Sequence, residues 1–206
     1  MEQMQILLAI LVLLPFVSAL LLALCGSDRM RRLIVYGSAG VLMISAVAFA
    51  VCFFSGENLQ LRFLQSGGII DHTMLALEAG FAVLITVLSI KYRRYYVAVL
   101  SIVQTVLTFV YELGGYKPAV QPYNLFTDQL TVIMVLIIAV VGTLITVYAV
   151  GYMRDYHNHH KEYADRRRFF FAMLYVFLGA MFGLVLSNSL LWLYFFGRSQ
   201  ALCPSC

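Results

Sequence analysis

Six apolar stretches, each long enough to cross a lipid bilayer, occupy most of this chain, and the charged residues lie almost entirely between them. A helix needs about 20 apolar residues to cross the hydrocarbon. Backbone amides in lipid must bond within the protein, which favours helices, and runs without alternation argue against a barrel. The sequence predicts an all-α, polytopic transmembrane helix bundle of about six spans plus an incomplete seventh, at 4–25, 33–54, 73–90, 95–113, 129–150, 169–187 and from Leu190 to Phe196.

The composition excludes a water-soluble globular domain. Of the 206 residues, 62% are hydrophobic and 12% are charged, whereas a soluble domain carries about 25% charged residues. No soluble core could hide this much apolar surface, so the partner of that surface is the lipid bilayer. The net charge of +4 gives no reason to expect nucleic acid as a partner.

Basic residues concentrate in three alternate connections, at 26–32, 91–94 and 154–168. Together they hold 11 of the 14 lysines and arginines. The positive-inside rule places these connections in the cytoplasm and the N-terminus outside. The expected location is the inner (cytoplasmic) cell membrane. The first span lacks a basic leading region and a clear cleavage site, so we expect it to remain in the mature protein.

The breakers in residues 114–128 predict a loop, which ends at Asp128, a natural N-cap for the fifth span. Small residues predict where helices approach one another. They cluster at 37–40 in the second span, and Gly179 and Gly183 in the sixth have small-xxx-small spacing. Because glycine is common in membrane helices, ordinary membrane-helix glycine is an equally good interpretation of the pair.

Two carboxylates lie within or at the edge of predicted spans, Glu78 in the third and Glu112 in the fourth. Intramembrane carboxylates are candidates for proton relays, because burial favours the protonated form. Glu78 and Glu112 are therefore the proton-path candidates of this chain. The alternative for each is a carboxylate that faces headgroups or a partner helix.

No pattern in the chain predicts a cofactor or a metal site. His157, His159 and His160 crowd one connection, where a solvated loop is the better interpretation than metal binding. Cys203 and Cys206 have CxxC spacing, which is weak evidence when it stands alone. The chain has no phosphate loop, no nucleophile elbow and no haem or iron–sulfur ligand run. No catalytic redox site is expected here, so any electrons travel in other subunits.

Residues 125–196 resemble the start of an antiporter-like core. Three groups share this core: the L-type membrane subunits of respiratory complex I, the matching subunits of energy-converting hydrogenases, and Mrp-type cation/proton antiporters. The resembling pieces are 125–131 (Leu-Phe-Thr-Asp-Gln-Leu-Thr), 147–153 (Val-Tyr-Ala-Val-Gly-Tyr-Met), 168–170 (Arg-Phe-Phe), 179–188 (Gly-Ala-Met-Phe-Gly-Leu-Val-Leu-Ser-Asn) and 190–196 (Leu-Leu-Trp-Leu-Tyr-Phe-Phe).

The resemblance implies a membrane subunit, or a fragment of one, of a proton- or sodium-translocating oxidoreductase of the complex I or hydrogenase type. Its partners would be the other membrane subunits of that complex. The alternatives are a Mrp antiporter subunit and an inactive structural fragment. The implied division is 1–113, N-terminal helices with a two-span insertion; 114–128, a loop; 129–196, the start of the core; and 197–206, an aberrant tail.

The tail departs from the family pattern. Family members continue after the Leu-Tyr-Phe-Phe stretch into Trp-Glu, whereas Phe196 is followed here by Gly197 and Arg198. Restoring one T to a possible codon sequence of Phe-Gly-Arg-Ser gives Phe-Trp-Glu-Ile, the family's continuation. The expectation is therefore a reading frame truncated or frameshifted after Phe196.

Overall fold

The computed structural model describes most of the helical chain. The described residues are 2–24, 27–55, 61–65, 76, 79–80, 82–83, 86–87, 95–113, 123–159, 167–188 and 190–202. They form α1 (Glu2–Leu24), α2 (Asp28–Ser55), β1 (Leu61–Gln65), α3 (Tyr95–Leu113), β2 (Tyr123–Thr127), α4 (Gln129–His159), α5 (Arg167–Leu186) and α6 (Leu190–Leu202).

Four of the described helices are long and apolar enough to cross a membrane, and these stretches are Ile6–Leu24, Asp28–Ser55, Gln129–Met153 and Arg167–Leu186. They confirm the first, second, fifth and sixth predicted spans. The fourth predicted span, 95–113, has the same bounds as α3. Its apolar part, Val99–Val110, is shorter than the four spanning stretches. The third, 73–90, falls mostly outside the described residues. The chain is an all-α, multi-pass membrane protein.

The first compact unit, which comprises Met1–Leu61 and Thr127–Leu186, is a bundle of α1, α2, α4 and α5. Each helix packs against two others in the cyclic order α1, α2, α4, α5. The buried positions recur every three or four residues, as at residues 8, 11, 15, 18 and 22 of α1 and 31, 35, 38, 42, 45 and 49 of α2. This spacing is that of left-handed helix packing. The outward faces are apolar as well, as expected for helices surrounded by lipid.

The second unit comprises Arg62–Phe126 and Ser187–Cys206 and contains α3 and α6. Strands β1 and β2 pair in a two-stranded sheet, and Leu125 forms an isolated antiparallel bridge with Ser187. The predicted loop 114–128 therefore ends in a strand. Its sequence, Tyr-Asn-Leu-Phe-Thr, is rich in the aromatic and β-branched residues that favour extended backbone.

Helices extend into the predicted connections on the basic side. Helix α2 begins at Asp28 and α4 continues to His159, so parts of 26–32 and 154–168 are helical. Asp28 lies in the first turn of α2, where a negative charge interacts favourably with the helix dipole. Outside the hydrocarbon, water solvates polar side chains, so a helix there does not need an apolar sequence.

Candidate functional site

Of the two predicted proton-path residues, the structure describes only the backbone of one. Glu78 lies outside the described residues. Glu112 lies in the last turn of α3, and its side chain is outside what the structure describes. His160, Cys203 and Cys206 also lie outside, as do the side chains of His157 and His159. Within the described part of the chain, no three His, Cys, Asp or Glu residues are grouped closely enough to hold a metal ion.

One polar site lies where α2 and α5 begin and the apolar part of α4 ends. We call it the arginine cleft; it has a volume of about 240 Å³ and is lined by Asp28, Arg31, Arg32, Val150, Met153, Arg167 and Phe171. Its charged residues come from two of the three basic connections. The sequence predicts that these connections share one side of the membrane, and the fold brings their residues into one cleft.

Asp28 organises the arginines of the cleft. Its Oδ1 atom accepts a hydrogen bond from Arg31, and its Oδ2 atom lies 3.5 Å from Nη1 of Arg167. Its main-chain oxygen accepts a long hydrogen bond of 3.4 Å from Nε of Arg32. Among the described residues that line the cleft, one carboxylate thus pairs with two guanidinium groups, and the third bonds only the main chain of the same residue. The cleft carries an excess of positive charge.

Arg31 is buried although it carries a full charge. Its side chain is 8% exposed, whereas that of Asp28 is 55% exposed. The guanidinium carbon lies 5.7 Å from the ring centroid of Phe171, within the range of a cation–π interaction. The ion pair and the aromatic face together compensate for the loss of water around Arg31. Arg31 therefore forms part of the wall of the cleft, and its contact with Phe171 joins α2 to α5.

A second polar group, which we call the hydroxyl cluster, lies inside the bundle and consists of Ser38, Thr146 and Tyr175. Ser38 Oγ and Tyr175 Oη lie 2.6 Å apart, and Tyr175 Oη donates to the carbonyl of Val35 at 3.2 Å. The Thr146 hydroxyl lies beside that of Tyr175, and it donates to the carbonyl of Thr143 at 2.8 Å. The bonds of Tyr175 link α2 and α5, and its contact with Thr146 adds α4. Because they end on backbone carbonyls, the cluster serves to hold helices together.

Sequence reasoning missed the hydroxyl cluster. It treated Ser38 only as a small residue in the group 37–40 and did not single out Tyr175. A signal was present, because Tyr175 lies within the apolar sixth span and a buried tyrosine hydroxyl usually has a partner. Of the small residues, Ser38 and Ala39 are buried, whereas Gly37 and Gly40 face open space.

The predicted helix cap at Asp128 is confirmed. Asp128 Oδ1 accepts hydrogen bonds from the backbone N–H and the hydroxyl of Thr131, both at 2.7 Å. These two bonds, with the backbone bond first, hold the pKa of Asp128 below its ordinary value. The carboxylate satisfies a backbone N–H at the start of α4 that would otherwise have no partner.

Replacing Asp128 by alanine should lower the free energy of unfolding by about 0.5–2 kcal/mol, because the cap is lost. The folded-state pKa is lowered, so the charge of Asp128 stabilises the protein above its unfolded-state pKa, and this contribution is lost as the pH falls through the folded-state value. Asp128→Asn, the matched control, keeps a capping oxygen but should show no such acid loss. Unfolding in mixed micelles, followed by circular dichroism between pH 7 and pH 3, measures both. Equal stability of the alanine variant and the parent would contradict the assignment.

The capped helix falls in the part of the chain that resembles known proteins. Residues 121–170 match a family profile described as NADH-ubiquinone oxidoreductase (complex I), chain 5 N-terminus. This segment is similar to that antiporter-like family. It contains β2, the Asp128 cap, all of α4 and the first residues of α5, including Arg167.

Relatives come from both the antiporter and the quinone oxidoreductase groups. The chain is 28% identical over 102 residues to Na(+)/H(+) antiporter subunit A1 of Staphylococcus haemolyticus. This alignment covers 50% of the chain and 12% of the relative. It is 38% identical over 76 residues to chloroplastic NAD(P)H-quinone oxidoreductase subunit 5 of Cryptomeria japonica. This alignment covers 37% of the chain and 9% of the relative. The Na(+)/H(+) antiporter subunit A1 of Staphylococcus aureus strain JH9 is 24% identical over 141 residues. This alignment covers 61% of the chain and 17% of the relative.

The chain therefore spans less than a fifth of the length of these relatives. The resemblance inferred from 125–196 is confirmed over the segment that the family profile matches.

Proposed function

We propose that this chain acts in an ion-translocating membrane subunit of the complex I and Mrp type, which moves protons or sodium ions. The observation that carries the proposal is the match of residues 121–170 to the family profile. Relatives named as Na(+)/H(+) antiporter and as quinone oxidoreductase subunits both overlap this chain. Ion translocation is what these two groups have in common.

The proposal includes an orientation, with the N-terminus outside and the arginine cleft on the cytoplasmic side of the inner (cytoplasmic) cell membrane. Its support is the gathering of Arg31, Arg32 and Arg167 at one end of the four-helix bundle. Arginines that flank spans are retained on the cytoplasmic side. Reporter fusions after residue 24 and after residue 159 would test the orientation, since both fusions must report the cytoplasm.

Two kinds of assembly fit the proposal. In the first, the subunit belongs to a complex I-like or hydrogenase complex and couples electron transfer in other subunits to ion movement. In the second, it belongs to a Mrp-type antiporter without a redox partner. The specific observation for the second is that the antiporter relatives align over 50% and 61% of the chain, whereas the oxidoreductase relative aligns over 37%.

Isolation of the tagged chain from its native membrane would decide between the assemblies. Mass spectrometry of the complex should identify either redox subunits or small antiporter subunits among the co-purified proteins. Recovery of the intact chain with neither set of subunits would contradict the proposal. Co-purification without any effect of carboxylate variants on ion flux would instead support a structural role.

Glu78 and Glu112 remain the proposed proton-path residues. In the assembled complex, Glu78→Gln should reduce proton or cation movement by roughly 100-fold, the lower range for losing a positioned proton-transfer group. The glutamine keeps the size of the side chain but cannot release a proton at neutral pH. Dye-quenching assays in inverted membrane vesicles measure the flux.

Glu57→Gln serves as the matched control, because Glu57 lies between predicted spans and outside both of them. It should leave the flux unchanged. Normal flux in a fully assembled Glu78→Gln complex would remove Glu78 from the path, and the same criterion applies to Glu112→Gln.

A further inference from the structure

We propose that the arginine cleft binds the phosphodiester headgroup of an anionic phospholipid. The cleft collects Arg31, Arg32 and Arg167 around the single carboxylate of Asp28 among its described lining residues. Guanidinium groups confined to one cleft repel each other, and an anion relieves that repulsion. Their planar, forked donors suit the oxygens of a phosphate ester.

The roles of the three arginines differ. Arg31 is occupied by its ion pair with Asp28 and its contact with Phe171. Arg32 is exposed and uses only Nε in its long bond to the main chain of Asp28. Among the groups that line the cleft, the guanidinium of Arg32 is therefore the one best placed to bind a lipid phosphate, with Arg167 contributing charge beside it.

The apolar lining identifies a lipid rather than a dissolved anion as the occupant. Val150 and Met153 belong to the last turn of the apolar part of α4, which ends at Met153. Phe171 lies one turn into the apolar stretch of α5. The cleft thus lies where the hydrocarbon-spanning segments end, at the depth of headgroups. One molecule that offers both a phosphate and an apolar tail matches both halves of the lining.

The volume of the cleft and its positive electrostatic potential both suit a phospholipid headgroup. Its volume of about 240 Å³ is several times the ~30 Å³ share of a water molecule, so a phosphate-sized group fits. Both α2 and α5 begin at the cleft, and their positive dipole ends add to the attraction for an anion. Basic pockets between membrane helices on the cytoplasmic side are suited to anionic lipids.

The test uses the purified full chain in neutral detergent, with thermal unfolding followed by circular dichroism during lipid titration. Phosphatidylglycerol should raise the melting temperature in a saturable way, and phosphatidylcholine should not. Arg32→Gln should raise the half-saturating phosphatidylglycerol concentration about tenfold, the effect expected for losing one charge-assisted hydrogen bond to the phosphate. Arg167→Gln should act in the same direction.

Arg29→Gln and Arg168→Gln are matched controls. Arg29 and Arg168 are exposed neighbours in the same first turns and do not line the cleft. They should leave the half-saturating concentration within about twofold of the parent value, because their charge acts only through the diffuse surface potential. A variant that melts at a lower temperature without lipid is still judged by its half-saturating concentration.

Three results would overturn the proposal. Equal weakening by Arg29→Gln and Arg32→Gln would show that only net charge matters. An equal response to phosphatidylcholine would remove the requirement for an anion. Full stabilisation by inorganic phosphate would make the ligand a dissolved anion rather than a lipid.

Discussion

Tyr175→Ala is expected to lower the free energy of unfolding by about 3–5 kcal/mol, the range for removing a large aromatic side chain from a packed interior. Tyr175 is fully buried and is among the largest buried side chains that the structure describes. Its loss leaves a cavity between α2, α4 and α5, and it removes the phenol that Ser38 and Thr146 contact. Unfolding in mixed micelles, followed by circular dichroism, measures the change.

Two variants separate the cavity from the hydrogen bonds. Tyr175→Phe keeps the ring and should cost only about 0.6 kcal/mol, the average for a hydrogen bond between membrane helices. Tyr148→Ala removes the same atoms from the lipid-facing side of α4, where Tyr148 is 72% exposed. Its cost should stay within about 0.5 kcal/mol, as is usual for exposed positions. If Tyr148→Ala and Tyr175→Ala destabilised the chain equally, the buried position of Tyr175 would be wrong.

Gly179→Leu should destabilise the bundle by about 1–3 kcal/mol, because it overpacks the contact between α5 and α1. A Cβ atom at Gly179 would lie 2.9 Å from Cε2 of Phe16 and within 3.2 Å of two other ring atoms. The clash is relieved by a new Phe16 rotamer or by a shift of α1, and either change loses dispersion contacts between the two helices. Thermal unfolding in detergent, compared with the parent chain, measures the effect.

Other glycines provide the controls for this prediction. Gly37→Leu introduces the same side chain where nothing lies within 4 Å, so it should leave the melting temperature unchanged. Gly142→Ala places a Cβ atom only 2.2 Å from Cδ1 of Leu178. A new leucine rotamer can relieve that clash, so its cost should be smaller than that of Gly179→Leu. Unchanged stability of Gly179→Leu would show that α1 and α5 do not pack as described.

The two glycine patterns show how far a small-residue pattern predicts contacts. Gly179 and Gly183 are both buried, which confirms the contact face over ordinary membrane-helix glycine. The group 37–40 is only half correct, because Gly37 and Gly40 are exposed and the contact is made by Ser38 and Ala39. Small size permits close approach, but a cluster that covers more than one side of a helix does not specify which side is used.

Helix boundaries depended on where lipid ends and water begins. The apolar runs predicted the spans of α1, α2, α4 and α5 to within a few residues, because burial in hydrocarbon needs a run of apolar side chains. The runs gave no information on polar extensions, and so α4 continues to His159, beyond the predicted end at residue 150. The Asp128 cap was predictable because it depends on residues only three positions apart in the chain.

The amino-acid sequence by itself determined that the chain lies in a membrane, where four of its spans run and which connections carry most of its arginines. Each of these follows from the cost of placing polar groups in hydrocarbon, which is counted residue by residue along the chain. Only the tertiary structure decided that Tyr175 meets Ser38, 137 positions away, and that Arg167 joins Asp28, 139 positions away. In lipid every helix face is apolar, so the hydropathy pattern cannot say which face turns inward, and close packing between particular helices makes that choice.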